Sequence, residues 1–159
     1  MRRGVELLRA QNVCLYDGLL KSALAEEEAE TGNFEGAIEI VDDALASSAR
    51  TGQRTYDTEL HRLRGEMLLK RNPVDVAPAE TALQRAIALA CEQGARSFGL
   101  RAALSLAKLY RSTARPAEAE AVLAPALEGF ASTPEMPEIA EAQALLAARS
   151  KRKRPGGSD

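Results

Sequence analysis

The chain of 159 residues contains one histidine, two cysteines, no tryptophan and only 4% aromatic residues. Because the single histidine stands without a neighbouring cysteine, no zinc site of familiar ligand spacing can be assembled. Cys14 and Cys91 are far apart in sequence, in segments predicted to be helical. We interpret both as buried or half-buried free thiols in a reducing compartment, with a disulfide or redox role as the alternative.

Long apolar runs are also missing. No stretch approaches the roughly 20 consecutive apolar residues that span a bilayer. The first nine residues place charges on both sides of a very short apolar run, which is not the pattern of a secretory signal. We therefore predict a cytoplasmic protein without a membrane partner. Hydrophobic and charged fractions of 45% and 28% are typical of a soluble folded chain, and its length suits one compact unit.

The sequence has few groups that could perform chemistry. It lacks a glycine-rich phosphate loop ending in lysine. His61 has no visible nucleophile or orienting partner, which favours a surface or interhelix hydrogen-bonding role. The run Glu26, Glu27 and Glu28, with Glu30, would point in several directions on a helix, which favours a solvated face over a cation site. We expect no enzymatic activity, no cofactor and no metal.

What the sequence does contain is a repeat. The pattern Ala-x3-large-x2-Ala begins at Ala37, Ala79 and Ala119, at intervals of about 42 and about 40 residues. Intervals of this size are typical of stacked helical repeats. Such a solenoid buries its core between neighbouring repeats and leaves an extended concave surface, so binding is its default function.

Glycine, proline and asparagine residues divide the chain into about eight antiparallel helices, and the fold class is therefore all-α. The predicted helices cover residues 2–13, 16–31, 34–50, 55–71, 78–92, 97–113 and 116–130. A last helix follows a capping-box pattern at residues 132–135, and Pro137 shifts the start of this helix by up to a turn. The predicted units are a half-repeat or N-terminal cap helix (1–14), three repeats (15–52, 53–94 and 95–131), a C-terminal capping helix (132–150) and a disordered basic tail (151–159).

The N-terminal unit has a counterpart inside the array. Residues 4–12 match the second half of a repeat, residues 86–94. The chain therefore opens on a half-repeat, which is either the remainder of an upstream repeat or a cap. An uncovered first helix also offers a surface for homodimer formation.

The repeat resembles the tetratricopeptide repeat. The first copy carries the likeness best, with Ala25, the turn 32–34, Ala37, Val41 and Ala44. A closer resemblance, over residues 59–66, 93–97, 100–107 and 123–125, is to the C-terminal helical repeats of large bacterial signalling ATPases, which often carry a nucleotide cyclase or a DNA-binding domain. It implies a tetratricopeptide-like solenoid of helical hairpins that serves bacterial signal transduction as a protein-binding scaffold or regulatory module. The partner would be a protein or peptide segment, such as a linked cyclase, ATPase or DNA-binding domain.

In tetratricopeptide folds the first helix of each repeat lines the concave groove. The resemblance, carried over by register, implies a partner-binding groove formed by Leu19, Ser22, Glu26, Glu30, Glu59, Arg62, Glu66, Lys70, Arg101, Leu104, Lys108 and Arg111. Residues 17–51 hold nine acids and two bases, a net charge of −7, whereas residues 95–130 hold three acids and five bases, a net charge of +2. Such a polarised groove would accept a partner segment in one direction.

Two other interpretations remain open at this level. In the first, the chain is an inert structural spacer or an orphan fragment of a larger regulator. In the second, it associates with nucleic acid through the basic run Lys151 to Arg154. Four charges without an adjacent aromatic or apolar element are a weak electrostatic signal. Protein binding is therefore the preferred prediction.

Overall fold

The computed structural model describes residues 17–130 and 136–150, and it is helical throughout apart from the connecting turns. Its seven helices are α1 (described over 17–30), α2 (Phe34–Thr51), α3 (Asp57–Arg71), α4 (Ala77–Gln93), α5 (Arg96–Ser112), α6 (Pro116–Leu127) and α7 (Pro137–Ser150). The all-α prediction is confirmed, since the described ranges contain no strand. The predicted helix over residues 2–13, the capping-box residues 132–135 and the basic tail 151–159 lie outside the described residues.

Local sequence signals account for several helix ends. Asn33 caps α2, because its side-chain Oδ1 accepts a hydrogen bond from the Gly36 N–H at 3.1 Å. Gly52 and Gly94 end α2 and α4 with φ values of 74° and 65°, in the left-handed region that glycine adopts without a Cβ penalty. α7 begins at Pro137, which suits proline's fixed φ at a first helical position.

One helix ends earlier than predicted. The sequence pattern extends α6 to residue 130, but the helix stops at Leu127. Pro125 lies inside its last turn, where it lacks the N–H that would continue the hydrogen-bond ladder. Arg96 then donates a hydrogen bond to the Glu128 carbonyl, and Gly129 follows with a φ of 75°. The chain therefore turns away before the last predicted residues.

The helices form two layers. Each helix from α2 to α7 packs against the next one in sequence, and α3 also contacts α5, and α5 contacts α7. Among the described helices, α2 and α4 make no such contact, and neither do α4 and α6. Ion pairs join α1 to α2, through Lys21 and Asp43, and to α3, through Glu26 and Arg62. The odd-numbered helices thus form one continuous layer, which we name the inner layer, and the even-numbered helices form the other.

The repeated alanines occupy corresponding places in the core. Ala37, Ala79 and Ala119 are buried near the N-terminal ends of α2, α4 and α6. The large residues four positions later, Val41, Leu83 and Leu123, are also buried. Because small and large residues alternate in the same order in each helix, neighbouring helices approach closely and interdigitate.

One residue does not fit its predicted environment. Cys91 is an exposed free thiol on α4, not a buried or half-buried one. It lies beside the buried Ala90 but on the solvent side of the helix, where successive residues point about 100° apart. Cys14 lies outside the described residues.

In the part of the chain that the structure describes, every helix is too short or too polar for a membrane span.

Candidate functional site

A buried ion-pair network lies at the centre of the inner layer. Glu59, Arg62 and Glu66 occupy positions i, i+3 and i+7 of α3 and therefore share one face of the helix. Arg62 donates from Nε to Glu59 Oε2 at 3.0 Å and from Nη2 to Glu59 Oε1 at 2.7 Å. Both side chains are only 8% exposed. A planar guanidinium that binds a carboxylate through two parallel hydrogen bonds is among the strongest charged pairings in proteins.

The network reaches all four odd-numbered helices. Arg62 Nη1 lies 2.6 Å from Glu66 Oε1, and Nη2 lies 3.5 Å from Glu26 Oε1 on α1. Arg101 on α5 contacts Glu59 Oε1 at 2.8 Å and Glu138 Oε1 on α7 at 3.4 Å. The network therefore connects the helices of the inner layer electrostatically.

The surroundings of Glu66 keep its carboxylate charged. Burial by itself would raise the pKa of Glu66, but the positive charge of Arg62 and the Ser105 hydroxyl, which donates to Oε1 at 2.5 Å, outweigh it. The pKa of Glu66 consequently lies below its ordinary value. Burial would likewise lower the pKa of Arg62, but its hydrogen bonds to Glu59 and the charge of Glu66 hold that pKa above the ordinary value.

Five of the twelve residues predicted to line the groove belong to this network. They are Glu26, Glu59, Arg62, Glu66 and Arg101. Because Glu59 and Arg62 are buried and paired with each other, they are not accessible in the way a solvent-facing groove requires. Their place is beneath the surface of the inner layer.

The other predicted residues divide into two groups. Leu104 is buried in the core, Lys108 pairs with Glu141 at 2.7 Å, and Arg111 donates to the Leu145 carbonyl at 2.7 Å, so the last two hold α7. Glu30 and Lys70 are exposed and make no ion pair within 4 Å with any described residue. Of the two other positions on the same register, Leu19 is partly exposed and Ser22 is buried.

An open depression lies between α1 and α3 on this layer. Its volume is about 280 Å³, and its lining consists of Glu26, Ala29, Glu30, Leu63, Glu66, Met67 and Lys70. The alanine, leucine and methionine form an apolar floor, and the three carboxylates with Lys70 form a charged rim. This chemistry suits a side chain with an aliphatic stem and a cationic end.

Sequence reasoning did not find the contribution of α7. Glu138 and Glu141 lie three residues apart and contact Arg101 and Lys108 respectively. The i, i+3 spacing of two acids at the start of a helix was the available signal. Because α7 lies outside the repeat, no register could assign its face to the inner layer.

A second polar cluster joins α4, α5 and the start of α6. Arg115 lies over the Tyr110 ring at 4.2 Å and contacts Glu80 Oε2 at 2.7 Å, while the Tyr110 hydroxyl donates to Glu80 Oε1 at 2.9 Å. The hydrogen bond from Arg115 is the main reason that the pKa of Glu80 lies below its ordinary value. These groups satisfy one another, so the cluster is a structural clamp.

No metal centre is apparent in the residues the structure describes, since three His, Cys, Asp or Glu side chains do not converge there on a common point. His61, the single histidine, is half-buried on α3. Burial lowers the pKa of His61 below 6.5, and Arg85, Arg64 and Arg54 add to this effect against the opposing charge of Asp57. The imidazole is therefore neutral at neutral pH.

This environment predicts a pH dependence of stability. Because the folded-state pKa of His61 is below its unfolded value of 6.5, the stability that it provides is complete above pH 6.5 and declines as the pH falls toward the folded-state pKa. We expect the urea midpoint of the wild type to decrease between pH 7 and pH 5, approximately the range above ordinary carboxyl titration. In His61→Gln the midpoint should be nearly constant over this range. Equal slopes in the two proteins would contradict the assignment.

No protein-family model, curated protein or solved structure matches this chain.

Proposed function

We propose that this chain is a non-catalytic, tetratricopeptide-like solenoid that binds a segment of a partner protein along its inner layer, as a regulatory module of a bacterial cytoplasmic signalling protein. Three pairs of helices with corresponding buried alanines support the solenoid assignment. Contacts between successive odd-numbered helices support an inner surface that runs the length of the array.

The observation that carries the proposal is the depression between α1 and α3. It combines an apolar floor with the exposed side chains of Glu30 and Lys70, which remain outside the ion-pair network. A partner segment with a basic side chain would bury its stem on Leu63 and Met67 and place its charge beside Glu26 and Glu30. The rigid network beneath would keep this surface in one conformation, which lowers the entropic cost of binding.

An inert structural spacer is the second candidate. Its support is the number of inner-layer charges that pair within the chain, since Arg62, Arg101 and Lys108 each contact a carboxylate of a neighbouring helix. In this case the charges stabilise the array and recognise nothing. The two candidates differ in what the exposed Glu30 and Lys70 do.

Charge reversal at Glu30 tests the proposal. A protein captured from bacterial lysate with the immobilised chain would be purified, and its dissociation constant measured by calorimetry for the wild type and for Glu30→Lys. We expect at least a tenfold weaker affinity for the variant, which is about 1.4 kcal/mol. The partner's protected region should include a basic segment.

The matched control is Arg85→Glu. Arg85 is an exposed cation on the outer helix α4, where it pairs with Glu92 at 3.5 Å. Its reversal should leave the dissociation constant unchanged within about twofold. Equal affinities of all three proteins, or a loss as large for Arg85→Glu, would reject the inner layer as the binding surface and favour the spacer.

A further inference from the structure

An apolar patch on α1 has no cover among the described residues. Leu20 and Leu24 lie one turn apart on this helix and are 61% and 46% exposed. Leu24 also borders an open depression with Ile40 of α2. Its charged rim consists of Glu28, Glu39 and Asp43 together with Lys21, which pairs with Asp43 at 2.6 Å. Two neighbouring leucine side chains at this exposure are unfavourable in water unless another apolar surface covers them.

The same positions in the later hairpins are covered. The repeat register that aligns Ala25 with Gly65 and Ala107 aligns Leu20 with Leu60 and Ala102, which are 1% and 0% exposed. It aligns Leu24 with Arg64, whose side chain is 33% exposed and pairs with Asp42 of α2 at 2.7 Å, and with Leu106, which is 1% exposed. In both later hairpins the preceding even-numbered helix packs against this face: α2 on α3, and α4 on α5. The leucine patch therefore faces the position that an even-numbered helix would occupy if one preceded α1.

We propose that residues 2–13 of this chain cover Leu20 and Leu24. The segment directly precedes α1, and its residues 4–12 correspond to the part of α4 that packs on α5, where a Cβ on Gly99 would lie 3.1 Å from Ala90 Cβ. Val5, Leu7 and Leu8 supply apolar side chains for the contact. The connections between α2 and α3 and between α4 and α5 are short, as a connection through residues 14–16 would be.

Charge favours this occupant over a second copy of the chain. Residues 1–16 carry three arginines and one glutamate, whereas residues 17–51 carry a net charge of −7. A basic segment is therefore complementary to the acidic rim of the patch. Two copies meeting through this face would bring two acidic surfaces together, and like charges that face each other across an interface oppose association. The inference is independent of partner binding on the inner layer.

Hydrogen exchange of the full-length chain tests the proposal. In the wild type, amides of residues 4–12 should exchange at least tenfold more slowly than in an unstructured peptide, independently of protein concentration. In Leu20→Asp/Leu24→Asp this protection should be lost, while amides of α4 to α6 keep theirs. The matched control is Val74→Asp, because Val74 is 91% exposed on the loop between α3 and α4 and should change neither region.

A reciprocal variant controls for the case in which Leu20→Asp/Leu24→Asp loses protection because it unfolds. Leu8→Asp should accelerate exchange of residues 17–24 at least tenfold and leave α4 to α6 unchanged. Unprotected amides over residues 4–12 in the wild type would overturn the proposal. Protection that rises with concentration, together with a dimer in sedimentation that Leu20→Asp/Leu24→Asp dissolves, would also overturn it and assign the patch to a second copy.

Discussion

Replacing Arg62 with methionine should lower the free energy of unfolding by about 3–5 kcal/mol, because the substitution leaves the buried carboxylate of Glu59 and the half-buried one of Glu66 without their main cation. Glu59 is 8% exposed and would keep Arg101, at 2.8 Å, as its remaining charged partner among the described residues. Glu66 would lose a contact of 2.6 Å. Removing one member of a buried charged group costs more than the group contributes as a whole, since the remaining charge stays desolvated. Urea denaturation at pH 7 measures the loss.

Two comparisons separate this explanation from a general loss of packing. Arg64→Met removes a neighbouring arginine of the same helix, whose pair with Asp42 at 2.7 Å is partly exposed, and should cost less than about 1 kcal/mol. Glu59→Gln added to Arg62→Met should recover part of the loss, because it removes one uncompensated charge. If Arg64→Met and Arg62→Met were equally destabilised, the buried network would not be the cause.

The same variant should weaken the pH dependence that Glu66 contributes. In the wild type the pKa of Glu66 is below 4.5, so its stabilising effect is present above that pH and is lost as the pH falls through the folded-state pKa. Without Arg62, the Ser105 hydrogen bond and the charge of Lys70 still oppose the effect of burial, so the pKa of Glu66 should rise relative to the wild type, and the stability difference between the two proteins should shrink as the pH falls from 7 toward about 4. A constant difference between the two proteins would contradict this.

The repeat was predictable because small residues recur in it at nearly constant intervals. Ala37, Ala79 and Ala119 are these residues, and each must be small for its helix to approach the next. Glycines such as Gly52 and Gly94 mark helix ends through a conformation that other residues adopt at a cost. Both signals are local, and the helices they predict agree closely with α1 to α5.

The candidate site was less predictable, because charge alone does not indicate depth. Arg62 and Lys70 are both basic residues of α3, eight positions apart, but one is buried against Glu59 and the other is exposed. The difference depends on which residues of α1 and α5 lie opposite, and on the position of α7. A register within one repeat does not contain this information.

The second large effect on stability is expected at the seam between α3 and α4, where Leu83 lies against Gly65. Leu83 is fully buried, and Leu83→Ala should lower the free energy of unfolding by about 3–5 kcal/mol through lost transfer energy and a residual cavity. Gly65→Ala places a Cβ 2.7 Å from Leu83 Cγ and 3.1 Å from the Ala79 carbonyl oxygen. This overpacking should cost about 1–3 kcal/mol, against a helix-propensity gain of about 1 kcal/mol.

The two substitutions should not be additive. In the Leu83→Ala background the Cγ that obstructs the new methyl group is gone and the Ala79 carbonyl oxygen at 3.1 Å remains, so Gly65→Ala should cost less than in the wild type, with a coupling of at least about 1 kcal/mol. The control is Gly99→Ala, whose Cβ would contact Ala90 and not Leu83, and its effect should add to that of Leu83→Ala. Chemical denaturation of the four proteins in each cycle measures both couplings. Additive free energies in the Gly65 cycle would mean that α3 and α4 do not share the close seam on which the stacking of hairpins depends.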